Sequence, residues 1–361
     1  MFVSTLQIAD YRNIEWADVE LKNGINILYG QNAQGKTNFL ESVYMCSTGR
    51  SHRTKFDREL VKFDKKESHV RVYVQKNNTS EKIDVHIKKD DKKGVAVNGI
   101  PLKKLGDLFG TLYGVIFSPE DLQLIKSSPG ERRKFMDIEL CQLSNVYYYN
   151  LQQYYKILKQ RNNLLKEITK KPSLEETLFV WDSQLIDFGR KIIESRRKFI
   201  LKINEIASKK HDEITNGSEK LVVEYKPNTD EENFEKKLTE NIKRDIYLGS
   251  TSVGPHKDDI SFLINGSEVK TYGSQGQQRT AALSAKLAEI EIIKTETGET
   301  PVLLLDDVLS ELDEGRQYYL MESIKDIQTI ITCTGIEDSI KKYVKKAAVF
   351  NVENGIIKRE F

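Results

Sequence analysis

The eight residues Gly30-Gln31-Asn32-Ala33-Gln34-Gly35-Lys36-Thr37 constrain this chain more than any other stretch, because they match G-x-x-x-x-G-K-[ST] in full. Such a loop needs a strand before it and a helix after it, so that backbone N–H groups curl around phosphate oxygens at a helix N-terminus. Both flanks are present: Ile25 to Tyr29 is a short apolar run, and Lys36 to Met45 continues as a helical pattern. The two glycines let the backbone approach phosphate closely. Lys36 is expected to reach the β- and γ-phosphates of a nucleotide, and the Thr37 hydroxyl to ligate Mg²⁺.

Val302-Leu303-Leu304-Leu305 ends in the two acids Asp306 and Asp307. A buried parallel strand would deliver Asp306 to the Mg²⁺ shell, where a carboxylate is needed. Asp307 would then project towards an attacking water as a general base or water-orienting group. A buried strand with an acidic cap is the structural alternative, and the phosphate loop tips the balance to the functional one. Lys36, Asp306 and Asp307 are the expected catalytic set. They stand near opposite ends of the chain, so something large is inserted between phosphate loop and metal strand. Thr54-Lys55-Phe56-Asp57 superficially matches the guanine-reading [NT]-K-x-D pattern, but it follows no apolar strand and lies too soon after Thr37.

From Ser128 to about Leu248 the sequence becomes charged, Lys/Glu-rich and helical. Ser128, Pro129 and Glu131 read as N-cap, first-turn proline and capping-box glutamate, and Ser173 with Glu176 repeats the pattern. Val146–Ile168 and Thr177–Lys209 are helical stretches, and the first carries Tyr147, Tyr148, Tyr149, Tyr154 and Tyr155, expected as core and helix-contact surface. Apolar heptads are not sustained far enough for a long coiled coil. On either side of this block strand and helix alternate. His69 to Gln75 and Ile83 to Lys88 read as half-buried strands, and Ile260–Ile264, Val302–Asp306 and Thr329–Cys333 as further strands. Asn98-Gly99, Asn265-Gly266 and Asn354-Gly355 are hairpin turns, since a type I′ turn needs positive φ at both central positions. The expected fold is an α/β P-loop NTPase head, residues 1–117 and 249–361, with a mainly helical insertion over 118–248.

Composition adds limits. No apolar run approaches the ~20 residues that span a bilayer, and no apolar export segment opens the chain. Cys46, Cys141 and Cys333 are isolated, which fits a reducing cytosol, so a cytoplasmic protein without a membrane partner is expected. The five histidines show no metal-ligand spacing. A formal charge of +2 leaves any nucleic-acid surface to be a local one.

Tyr272-Gly273-Ser274-Gln275-Gly276-Gln277-Gln278-Arg279 resembles the ABC signature motif in the form Ser274-x-Gly276-x-Gln278, and Ser310-Glu311-Leu312-Asp313 resembles the ABC D-loop. Two further stretches look like diagnostic ones of a single family, and a third resembles a segment shared with other ATPase heads. The first runs through Pro119-Glu120-Asp121-Leu122, Lys126-Ser127-Ser128-Pro129 and Arg132-Arg133-Lys134-Phe135-Met136-Asp137. The second is Gly254-Pro255-His256-Lys257-Asp258-Asp259, and the third, Asp10-Tyr11-Arg12-Asn13, is similar to the opening of SMC and Rad50 heads. Over essentially its whole length the chain resembles the RecF family of DNA recombination and repair proteins.

That resemblance implies an SMC-like ATPase head (lobe I) with a helical arm (lobe II), binding ATP with Mg²⁺. It implies an ATP-dependent homodimer in which Ser274, Gly276 and Gln278 of one chain complete the nucleotide site of the other, with Arg12 as a further nucleotide contact. It also implies action on double-stranded DNA at junctions with single-stranded gaps, with RecO and RecR helping RecA load, in DNA repair, replication restart and SOS induction. Two features depart from the ABC pattern. The Q-loop glutamine has no clear counterpart among Ser118, Pro119, Glu120 and Asp121, and in place of a switch histidine stand Thr332 and Thr334. With Asp307 where many ABC proteins carry Glu, a slow ATPase that works as a switch is expected.

The candidate DNA contacts are Arg53, Arg132 and Arg133. Arg50, His52, Arg53 and Lys55 form either a nucleotide- or DNA-facing group or a solvated loop. Arg132, Arg133 and Lys134 start a helix, where cations oppose the dipole, and meet either DNA or Glu131 and its neighbours. Arg196, Arg197 and Lys198 are expected on a solvated face, and His256 is either a satisfied structural histidine or a sensing group. Two competing classes are weaker. An SMC chromosome-organising head would need long heptad arms, and a transporter ATPase would leave Pro119–Asp137 unexplained.

Overall fold

In the computed structural model, residues 1–76, 79–335, 344 and 346–360 are described. They form two compact units, one of Met1–Asp121 with Glu289–Phe361 and one of Leu122–Ala288. Among the described residues no helix is long and apolar enough to cross a membrane.

The first unit contains two six-stranded sheets. One is antiparallel: β1 (Phe2–Tyr11), β2 (Ile14–Glu20), β4 (Glu67–Lys76), β5 (Thr79–Lys88), β6 (Gly94–Val97) and β7 (Ile100–Pro101), in the order β2-β1-β4-β5-β6-β7. Its strands alternate as a half-buried sheet requires. In β4 Val70, Val72 and Val74 are buried, and in β5 Ile83, Val85 and Ile87. The other sheet is built on parallel pairing of β3 (Ile25–Tyr29), β8 (Gly114–Phe117), β12 (Val302–Asp306), β13 (Thr329–Cys333) and β14 (Ala348–Glu353). The order is β15-β14-β3-β13-β12-β8, with β15 (Ile356–Arg359) antiparallel at the edge. All five residues of β12 are buried, which explains why Val302–Leu305 is apolar without alternation. Helix α1 (Lys36–Thr48) follows β3, and its Phe39, Leu40, Val43 and Met45 share one core with residues of both sheets. Helix α10 (Glu314–Ser323) packs through Leu320 and Met321.

The second unit holds α2 (Leu122–Lys126), α3 (Pro129–Leu143), α4 (Asn145–Ile168), α5 (Leu178–Ile214), α6 (Phe234–Glu240), α7 (Ile242–Leu248) and α8 (Val269–Tyr272). It also holds a three-stranded sheet, in the order β11-β10-β9, of β9 (Leu221–Lys226), β10 (Asp259–Ile264) and β11 (Ser267–Glu268). Leu221-Val222-Val223-Glu224-Tyr225 is a strand inside a block read as helical, because β10 pairs with it, Ile260 opposite Tyr225 and Phe262 opposite Val223. That pairing carries the unit beyond residue 248, and its boundary falls within α9 (Gln275–Thr297). The three Asn-Gly turns have positive φ at both positions: 53° and 80° at Asn98-Gly99, 50° and 82° at Asn265-Gly266, 50° and 78° at Asn354-Gly355.

Arg196 is not on a solvated face. It is 0% exposed and donates to Pro255 O (2.6 Å), Asp258 Oδ2 (2.9 Å), Asp137 Oδ1 (2.7 Å) and the Tyr147 hydroxyl (3.1 Å). Arg132 is also buried, 4% exposed, and bidentate to Asp259 at 2.5 and 3.0 Å. Its guanidinium is spent on the interior, which withdraws it from the DNA-facing candidates. Arg133 donates to Asp258 O at 2.7 Å. The stretches Arg132–Asp137 and Gly254–Asp259 are thus two sides of one ionic cluster. Arg197 is half-buried, paired with Glu231 and set over the Tyr225 ring, whereas Lys198 is exposed and pairs with Glu194. Of the tyrosines, Tyr147, Tyr148 and Tyr154 are core, whereas Tyr149 and Tyr155 are exposed.

Candidate nucleotide site

The loop Gly30–Thr37 leaves β3 and enters α1 with a backbone only its own sequence tolerates. At Gly30 (φ +154°) a Cβ would sit 2.2 Å from Val352 O, and at Gly35 (φ +115°) 2.8 Å from Asn13 Oδ1. Ala33 is itself left-handed, at φ 64°. The loop is braced from two hairpins. On the β1–β2 side, Asn13 Nδ2 donates to Ala33 O (3.5 Å) and Asn13 Oδ1 accepts from Asn38 Nδ2 (2.8 Å). On the β14–β15 side, Gly355 N donates to Gln34 O (2.9 Å) and Asn354 N to Gln34 Oε1 (2.5 Å).

Lys36 is 5% exposed, and its Nζ donates to two carbonyls of the same loop, Gly30 O at 2.6 Å and Gln31 O at 2.9 Å. Among the described residues no side chain caps the N-terminus of α1, so its first-turn amides face outward with the positive end of the helix dipole. A buried ammonium beside uncapped amides is the donor set an anionic phosphate group requires.

Facing it is Asp306, at the end of β12 and 6% exposed. Its Oδ1 accepts from Thr37 Oγ1 (2.9 Å) and from Thr332 Oγ1 (2.8 Å), Thr332 being its register partner on β13. Burial raises the Asp306 pKa above the ordinary carboxylate value. The two hydroxyls pull it back, while the charges of Asp307 and Glu120 push it further up. A divalent cation would relieve exactly that crowding of negative charge, so the donors suit Mg²⁺. Glu120 lies in the turn Pro119–Asp121 after β8. Among Ser118, Pro119, Glu120 and Asp121, Glu120 adds its charge to the negative surroundings of Asp306.

Asp307 takes a left-handed backbone (φ 56°), a sparsely populated state for a non-glycine residue. Its N donates to Thr332 Oγ1 (3.0 Å) and its O accepts from Ser310 Oγ (2.7 Å), so Thr332 bridges the two acids.

Arg12 and Arg53 meet at one buried carboxylate, Glu41. Arg12 is bidentate to it at 3.0 and 2.9 Å, Ser51 Oγ donates at 2.5 Å, and Arg53 Nη1 stands 3.8 Å away while donating to Asn38 Oδ1 at 2.9 Å. Burial disfavours the Glu41 anion, yet the hydrogen bonds from Arg12 and Ser51 win and hold its pKa below the ordinary value.

The remaining candidates lie in the second unit. Ser274 is exposed at the start of α9 and forms a reciprocal box with Gln277: Ser274 N donates to Gln277 Oε1 (2.9 Å) and Gln277 N to Ser274 Oγ (3.2 Å). Gly276 O accepts from Thr280 Oγ1 at 2.8 Å. Gln278 turns inward, its Nε2 donating to Val269 O at 3.2 Å. His256 is enclosed by Tyr154 OH on Nδ1 (2.7 Å) and Thr251 O on Nε2 (3.0 Å), a structural histidine.

Phosphate loop, acidic strand and sheet order define a P-loop ATPase head of the ABC/SMC class. An Smc head domain from Pyrococcus furiosus matches the fold with TM-score 0.57 at 14% identity, covering 99% of this chain and 96% of that one. Residues 2–358 match the RecF/RecN/SMC N terminal domain model. The DNA replication and repair protein RecF of Lachnospira eligens is 52% identical over 362 residues, all of both chains, and that of Lachnoclostridium phytofermentans 49% over 359 residues, covering 99% of this chain and 100% of that protein. A solved structure of the recombination mediator protein RecF-ATP in the RecFOR pathway is 38% identical with TM-score 0.91, each chain covered to 99%. The chain belongs to the RecF family.

Proposed function

We propose that this protein is an ATP-dependent recombination mediator of the RecFOR type, acting on DNA as a nucleotide-switched dimer. The observation that carries the reading is the 2.9 Å hydrogen bond from Thr37 to Asp306, which brings together the hydroxyl and the carboxylate that would hold a divalent cation. Lys36 is positioned to leave the carbonyls of Gly30 and Gln31 for the phosphates of ATP. Thr37 and Asp306 would hold Mg²⁺, which when bound neutralises phosphate charge. Asp307, its backbone fixed by Thr332, orients the attacking water, and Glu120 adds to the same acidic edge.

Ser274 and Gly276 of a second chain complete the cage. The box that ties Ser274 to Gln277 leaves the hydroxyl proton available to a γ-phosphate, whereas Gln278 serves α9 internally. ATP that favours the paired state shifts the population to dimer, and hydrolysis returns it. A slow ATPase suits that switch. The dimer grips double-stranded DNA near single-strand gaps and, with RecO and RecR, assists RecA loading in the cytoplasm. The DNA surface is drawn from Arg53 and Arg133 rather than Arg132, and its affinity falls steeply with salt if phosphates supply the contacts.

Sedimentation with and without ATP and a gapped DNA tests this. Wild type should dimerise with ATP, and Ser274→Arg should bind ATP yet stay monomeric. An ATP-dependent dimer unchanged by Ser274→Arg would refute the shared site.

A further inference from the structure

The antiparallel sheet carries a second cluster of potential ligands, away from the phosphate loop, that the spacing of histidines along the sequence does not disclose. His69 on β4 lies directly opposite His86 on β5, and their rings stack with centroids 4.0 Å apart and 16° between planes. Glu67, two residues before His69 and on the same face of the strand, receives both of them. Its Oε2 is 3.0 Å from His86 Nε2 and its Oε1 3.8 Å from His69 Nε2. One donor atom from each of the three residues lies within 4.8 Å of the others.

We propose that Glu67, His69 and His86 form a binding site for a borderline divalent transition-metal ion such as Zn²⁺, Co²⁺ or Ni²⁺.

The rest of this face shows why the histidine rung stands apart. Across β4 and β5, Glu67 is opposite Lys88 and Arg71 is opposite Asp84, with which it forms an ion pair. Both rungs match opposite charges. Only the rung between them sets two like groups face to face, which is unfavourable when both are protonated. Metal binding takes the neutral imidazole, which relieves that like-charge pairing across the rung. Two imidazole nitrogens and one carboxylate oxygen supply three protein ligands, leaving the fourth tetrahedral position to water. Room for it exists beside His86: Gly94 is its partner on β6, and a Cβ there would meet nothing within 4 Å. Bonds of about 2.0–2.1 Å to nitrogen need the two rings to converge slightly, which half-exposed side chains can do by rotation. Mg²⁺, which prefers an octahedral oxygen shell, would not compete, so this site and the one at Thr37 and Asp306 select different ions. A bound ion would tie β4 to β5 at a shallow pocket that His69 and His86 themselves line together with Ile8, Ala9 and Trp16.

The full chain, stripped of metal by chelator and kept free of nucleotide, should be titrated with Zn²⁺ by calorimetry and with Co²⁺ by visible absorption, in excess Mg²⁺. One equivalent should bind, with the d–d absorption of tetrahedral Co²⁺. Glu67→Gln, His69→Asn and His86→Asn should each weaken binding by at least about tenfold, and the double histidine variant should abolish it. Failure of wild type to bind one equivalent, or binding that survives both histidine substitutions, overturns the proposal. Should the double variant not fold by circular dichroism, Glu67→Gln decides, and unchanged affinity there also overturns it.

Discussion

Thr37 and Asp306, 269 positions apart in sequence, are joined by a hydrogen bond of 2.9 Å between hydroxyl and carboxylate. The strand order makes this possible: β13 lies between β3 and β12, so Thr332 can bond Asp306 from one side while α1, rising from β3, presents Thr37 from the other. Asp306→Asn keeps the shape but removes the charge a cation needs. Nucleotide should still bind, while Mg²⁺-dependent tightening is lost and hydrolysis falls by at least about a hundredfold. Lys36→Ala should remove nucleotide binding altogether. Titration with a fluorescent ATP analogue, with and without Mg²⁺, separates the two.

Gly355 offers a test of the braces around the phosphate loop. A Cβ at this position would lie 2.3 Å from Asn13 O, and the backbone is at φ +78°. Gly355→Val should cost about 1–3 kcal/mol from backbone strain and clash, and weaken ATP binding as Gln34 loses its partner. Gly266→Val supplies the control, since its φ is +82° but nothing lies within 4 Å of its Cβ. It should lose stability from the left-handed backbone alone, about 1–2 kcal/mol, with ATP binding unchanged.

In the second unit, Arg196 and Lys198 sit two residues apart on one helix and should behave oppositely. Arg196→Met strands the carboxylates of Asp137 and Asp258 inside the unit, which should cost about 3–5 kcal/mol. Lys198→Met removes only an exposed i,i+4 pair with Glu194 and should change stability by under about 0.5 kcal/mol. Urea denaturation followed by circular dichroism measures both.

His256 should make the protein acid-sensitive. Burial is the main cause of a pKa lowered from 6.5 to about 4, helped by Lys257 and Arg133 and opposed by the Thr251 carbonyl. The unfolded chain therefore takes up this proton first, so the stabilisation is complete above about pH 6.5 and is lost as pH falls towards 4. The full effect is about 3 kcal/mol. Thermal melts at pH 7, 6 and 5 should show a fall that His256→Asn reduces.

These residues also mark what the amino-acid order discloses. Gly30–Thr37 and Val302–Asp307 were readable because phosphate and metal chemistry impose residue types at fixed local spacings, and the Asn-Gly turns because positive φ is a local demand. Arg196 was misread because a cation in a charged helix looks solvated until Asp137 and Asp258 arrive from elsewhere. Strand β9 and the extent of the second unit depend on pairing with β10, a non-local event. The bearing of Glu120 on Asp306 likewise appears only when β8 is laid beside β12. His69 and His86 become neighbours through hairpin register, which their separation along the chain does not announce.

The phosphate loop and the residues that press on it, Val352 at Gly30 and Asn354-Gly355 at Gln34, are separated by more than three hundred positions of chain. The nucleotide motif is therefore local in sequence, while the contacts that hold its backbone are not.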